Sequence, residues 1–145
     1  MTLSGGPQDV LERFRRAAVE QSVADMGSLY AVDAVHDFPF TRPGVPSRIE
    51  GREQIVAFMA TSWRTSPLRY HSYRTLAIHG TDDPATIVVE QEALGTGAAG
   101  VPFALPNIVV LTVREGHISR FRDYVNVLAA ADAAGLVTSI QRPGS

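Results

Sequence analysis

The sequence predicts an α+β domain with its helices and strands segregated along the chain. Two observations carry this. Apolar residues recur at helical spacing through most of the first 65 positions, and from Tyr70 onward the pattern changes to strict alternation. Helices grouped before a run of strands argue against a doubly wound parallel sheet, in which the two would alternate. With 145 residues, 45% hydrophobic and 19% charged, the chain has the length and composition of one globular domain.

The elements follow in order. Residues 1–7 are small and polar and are expected to form a flexible lead-in. From Pro7, the residues Val10, Leu11, Phe14, Ala17 and Ala18 share one helical face. A second short helix is expected over Val23–Tyr30, and a strand over Ala34–Phe38. Three prolines and a glycine in Pro39–Pro46 make that stretch a loop. Glu50-Gly51-Arg52-Glu53 opens a third helix with the apolar stripe Ile55, Phe58, Met59 and Trp63, which Pro67 ends. Four antiparallel strands are expected over Tyr70–Ile78, Thr86–Gly95, Phe103–Arg114 and Ile118–Val125. A short helix over Leu128–Leu136 closes at Gly135. The single domain is placed at 8–138, with a polar tail at 139–145.

Composition excludes several chemistries. A net charge of −2 gives no general attraction to nucleic acid or to an acidic membrane. There is no cysteine, hence no disulfide, thiolate metal site or Cys nucleophile. No apolar run approaches the roughly 18 residues of a membrane span, and the N-terminus lacks a signal-peptide pattern, so a cytoplasmic location is expected. The four histidines, His36, His71, His79 and His117, show no metal-ligand spacing, and no metal or cofactor is expected. The Gly-rich segment Gly95–Gly100 lacks a phosphate-binding lysine and leads into a strand.

The last strand carries the sharpest chemical signal. Period two places Arg120, Arg122 and Tyr124 on one face and Ser119, Phe121, Asp123 and Val125 on the other. Asp123 then points inward with Phe121 and Val125. A desolvated carboxyl has a raised pKa, as a general acid or base near neutral pH requires. Pairing of Asp123 with a nearby cation is the alternative. In the strand Thr86–Gly95, Glu90 and Glu92 share a face with Val88 and Leu94, opposite Gln91. They form either a surface stripe or a cavity lining, and Glu92 beside Asp123 would share a proton with it. Arg42, Arg48 and Arg52 near the proline loop read as a solvated rim, with steering of an anion as the alternative.

Three segments resemble the SnoaL-like branch of the NTF2-like superfamily. Leu29–Val35 followed by Phe38-Pro39 is similar to its second-helix and first-strand junction. Arg48-Ile49-Glu50-Gly51-Arg52-Glu53-Gln54-Ile55 resembles its strand-loop-helix segment. Val113–Ile118 followed by Phe121-Arg122-Asp123-Tyr124 resembles its closing hairpin. The resemblance implies a cone-shaped barrel, a curved and mostly antiparallel sheet wrapped on the N-terminal helices around a deep pocket. It also implies a homodimer through the outer sheet face. Within the branch, Asp123 matches the closing-strand acid of polyketide cyclases, limonene-epoxide hydrolases and phenazine-biosynthesis A/B proteins. The arginine and aspartate positions of the epoxide hydrolases hold Glu90 and Glu92. The base position of ketosteroid isomerases holds Phe38, with Asp37 one residue early. The helix histidine of the phenazine proteins is replaced in the neighbourhood of Met59 and Ala60.

The implied activity is cofactor-independent acid/base catalysis on an apolar ring compound: cyclisation, isomerisation, dehydration or epoxide opening. Asp123 is the expected catalyst, with Glu92 or Asp37 as its partner. Tyr30 and Asn126 are hydrogen-bonding candidates. His36, Phe38, Trp63, Glu90, Phe103 and Phe121 are expected around the ligand. A ligand-binding or dimerisation module without chemistry is the competing expectation.

Overall fold

The computed structural model describes residues 6–136. The expected tail at 139–145 and most of the lead-in lie outside the described residues. Helix α1 (Pro7–Glu20) starts with Pro at a position where its missing N–H costs nothing. It buries Val10, Leu11, Ala17 and Ala18, the predicted face. Gln21, in the left-handed region at φ 52°, ends it. Ser22 caps α2 (Val23–Leu29), its hydroxyl accepting from Asp25 N–H at 3.1 Å.

Tyr30 does not end that helix but opens strand β1 (Tyr30–Asp37), where it pairs with Ile118. The strand therefore starts four residues before the expected Ala34. Exposed Val32 and Asp33 hide its alternation. Strand β2 (Arg48–Glu50) lies antiparallel to the end of β1. Helix α3 (Arg52–Thr65) follows, then β3 (Arg69–Gly80), β4 (Thr86–Thr96), β5 (Pro102–Arg114), β6 (His117–Val125) and α4 (Val127–Ala133). The β5–β6 hairpin turns on Glu115 and Gly116, both at positive φ, as a two-residue hairpin loop requires.

The six strands form one mixed sheet in the order β2-β1-β6-β5-β4-β3. Only the β1–β6 pair is parallel. The sheet is open, which corrects the expected cone-shaped barrel. Closure needs hydrogen bonds between the two outermost strands, but among the described residues three-residue β2 pairs only with β1, and β3 only with β4. The helices cover one face instead of a wall of strands.

Register fixes which side chains meet those helices. The inner rows read Phe121, Leu111, Ile87; then Asp123, Val109, Val89; then Val125, Asn107, Gln91. The outer rows between them read Arg122, Val110, Val88 and Tyr124, Ile108, Glu90. Ile118 and Phe121 are both buried although three residues apart, because the β5–β6 register shifts at Ser119. Leu11, Met26, Leu29, Ile55, Val109, Leu111 and Phe121 form the centre of the core. Among the described residues, no helix is long and apolar enough to cross a membrane.

Candidate functional site

Strand β6 carries Asp123 onto the inner face, two residues beyond Phe121. The residue retains some exposed surface, but burial dominates at its carboxyl and raises the pKa to about 6. A hydrogen bond from Asn107 and the charge of Arg42 act in the opposite direction. Asn107 Nδ2 donates to Asp123 Oδ1 at 2.7 Å. The other amide atom, Asn107 Oδ1, is buried without a hydrogen-bond partner among the described residues. Asn107 thus leaves its own acceptor unsatisfied while it holds one carboxylate oxygen. Among the described residues, Asp123 Oδ2 has no hydrogen-bond partner.

An aromatic ladder runs beside this carboxyl. Phe14 of α1 lies 4.7 Å from Phe121, and His36 stacks on the same ring at 4.6 Å and 8°. His36 continues to Phe38 at 4.8 Å, and Phe38 to Phe58 of α3 at 5.6 Å. The hydroxyl of buried Tyr30 lies 3.0 Å from His36 Nδ1. Burial lowers the His36 pKa to about 4, against the opposing charge of Asp37, so the imidazole is neutral at pH 7. Burial raises the Tyr30 pKa, and Asp123 raises it further. Tyr70 and Tyr73 of β3 respond in the same direction, first from burial and then partly from Asp123. Tyr70 meets Phe103 edge-on at 5.8 Å. Trp63 packs half-buried against the core.

The structure separates the other predicted acids from Asp123. Glu90 and Glu92 lie on the outer face of β4, where Glu90 meets His79 Nε2 at 2.6 Å and Glu92 pairs with Arg74. The inward position between them is Gln91, whose Oε1 accepts from Arg15 at 2.7 and 3.2 Å. The proton-sharing arrangement expected of Glu92 and Asp123 is therefore not formed. Asp37 also faces outward, beside Arg122 in the register. Burial would raise its pKa, but hydrogen bonds from Arg48 at 2.7 Å and Arg120 at 3.0 Å outweigh this and hold it below the usual carboxylate range. Asn126 caps α4, accepting from Ala129 N–H at 3.1 Å. Among the described residues, no group of three or more His, Asp or Glu is placed to hold a metal.

Sequence reasoning missed Asn107, although β5 carries the same signal as β6: one polar residue within the inward series Leu105, Asn107, Val109, Leu111. What the site can do chemically is bounded by this list. It offers one carboxyl that titrates near neutrality, a neutral Tyr30–His36 pair with one donor proton left over, and an apolar wall.

The model of the SnoaL-like domain family matches residues 11–121. The chain belongs to the SnoaL-like family. This SnoaL-like protein is 28% identical over 130 residues to the uncharacterized protein YesE of Bacillus subtilis, covering 88% of this chain and 86% of that one. It is 32% identical over 108 residues to an uncharacterized PhzA/B-like protein of Pseudomonas aeruginosa, covering 74% of each. A crystal structure of a Bacillus subtilis protein put forward as an isomerase superposes with TM-score 0.81 and 27% identity, over 90% of this chain and 93% of the other.

Proposed function

We propose that this SnoaL-like protein, folding as one domain over residues 8–138, is a cofactor-independent acid/base enzyme. Its substrate is an apolar ring compound that lies against the inner face of the sheet. The observation that carries this reading is Asp123: a desolvated carboxyl with one oxygen held by Asn107 and the other unpartnered. Such a group takes a proton from carbon or oxygen on one side of a substrate and returns it on another. Cyclisation, isomerisation and dehydration all use that step. Tyr30 and His36 are buried and hydrogen-bonded to each other, which leaves one proton between them to stabilise a developing oxyanion. The B. subtilis structure put forward as an isomerase is consistent with this class. Asp37, Glu90 and Glu92 are assigned to the outer face in this reading, and Asn126 to the α4 cap. The outer rows of Val88, Val110 and exposed Ile108 are proposed to join two copies.

The test is turnover of cyclic ketones and polyketide-like substrates by Asp123→Asn. This variant keeps the shape of the site and the Asn107 contact while removing the titrating proton. It is expected to bind ring compounds with little change and to lose at least about a hundredfold in kcat. Full activity in a folded Asp123→Asn protein would remove Asp123 as the catalyst. Unchanged binding with no turnover by either protein would favour a binding module.

A further inference from the structure

The loop between β1 and β2 holds a cation that the acid/base reading does not use. Arg42-Pro43-Gly44-Val45 forms a tight turn in which Val45 N–H donates to Arg42 O at 3.3 Å and Gly44 sits at φ 81°. Proline second and glycine third, with glycine at positive φ, is the residue pattern of a type II turn. The turn is thus preformed by its sequence. It places the Arg42 guanidinium carbon 5.6 Å from the centre of the Phe38 ring, at the end of the aromatic ladder that passes through His36 to Phe121.

Arg42 is only partly exposed, and among the described residues it forms no close ion pair and no side-chain hydrogen bond, its charge reaching Asp123 only at longer range. Its neighbours in the rim differ. Arg48 is committed to Asp37, which Arg120 also holds. The ring under Arg42 leads through His36 to Phe121, which shares the inner face of β6 with Asp123, and the charge of Arg42 acts on Asp123 and Tyr70. A half-desolvated guanidinium stacked on an aromatic ring, with its N–H groups unspent, is built to receive a planar oxyanion.

We propose that Arg42 is the subsite for an anionic group on the ligand, and that the compound presented to Asp123 is an apolar ring bearing a carboxylate. This rests on the acid/base reading of the pocket and names its substrate class. One guanidinium matches one carboxylate in two parallel hydrogen bonds. The apolar body of the ligand then lies on the inner face between Arg42 and Asp123.

The experiment compares 2-naphthoate with the neutral 2-naphthamide. Binding is followed by calorimetry and by the fluorescence of Trp63, the single tryptophan. The proteins are wild type, Arg42→Gln, Arg42→Lys and Asp123→Asn. Wild type is expected to prefer the carboxylate by about tenfold or more. Arg42→Gln abolishes the preference and leaves the amide within about twofold, Arg42→Lys restores part of it, and Asp123→Asn keeps it. Equal binding of both ligands by wild type, or an undiminished preference in Arg42→Gln, overturns the carboxylate subsite alone. Loss of both ligands in a folded Arg42→Gln protein also overturns it, by showing that Arg42 only supports the loop. Failure of wild type to bind either ring compound overturns the pocket reading itself.

Discussion

Asp123 and His36 respond to pH in opposite senses. The folded-state pKa of Asp123 is about 6, raised from 3.8, so the unfolded chain releases this proton first. Its contribution to stability is complete below pH 4 and is lost as the pH rises to about 6. The pKa of His36 is about 4, lowered from 6.5, so its contribution is complete above pH 6.5 and is lost as the pH falls to about 4. At about 1.4 kcal/mol per tenfold change in proton affinity, each effect is roughly 3 kcal/mol. Between pH 4 and 6 the two largely cancel. Asp123→Asn is therefore expected to gain up to about 3 kcal/mol at pH 8, with no gain at pH 4, and to show stability that rises with pH across this window. Urea unfolding at pH 4, 6 and 8 reads this directly, and a gain independent of pH would contradict the desolvation of Asp123. The signal for Asp123 was visible in the sequence as an acid between Phe121 and Val125. The environment of His36 was not, because Phe121 comes from the far end of the chain and Tyr30 was read as the end of a helix and not as the start of the same strand.

At the scale of elements, β5 determines how Asp123 is held. Asn107 points inward because it lies opposite Val125 and Gln91 in the register. Asn107→Leu removes the donor to Asp123 and also the partnerless Oδ1, so the packing loss is small and the electrostatic effect is isolated. The carboxyl of Asp123 is expected to titrate about one pH unit or more higher, since a hydrogen bond to a charged group contributes about 1.5–3 kcal/mol. Carbon-13 NMR of the Asp123 carboxyl measures the shift; an unchanged midpoint would mean that Asn107 does not hold the anion. Strand β4 explains why Glu92 was open to misreading. Both of its alternating sets contain apolar residues, Val88 and Leu94 with the glutamates, Ile87, Val89 and Ala93 with Gln91. Periodicity alone could not choose between them. The choice is made by Val89 lying opposite Val109, a contact between strands and not a property of either one.

At the scale of the molecule, the helix and strand order was legible because each element carries its own period. Whether the sheet closes depends on how β2 and β3 end, and neither strand records that locally. The proposed association of two copies belongs to this scale. Ile108, 43% exposed on the outer face, is the residue to charge. Ile108→Lys is expected to halve the mass seen by sedimentation while leaving ligand binding on the inner face intact. An unchanged mass would place the contact elsewhere or exclude it. The connectivity also has a consequence in time. Strands β3 to β6 are sequential neighbours and can zip together as hairpins, but β1 must pair with β6 across more than half of the chain. Such distant pairing is slow to form. Since His36 travels on β1 and Asp123 on β6, the two halves of the site remain apart on a growing chain until synthesis has passed Val125. Before then a nascent chain carries the helices and the aromatic ladder in pieces.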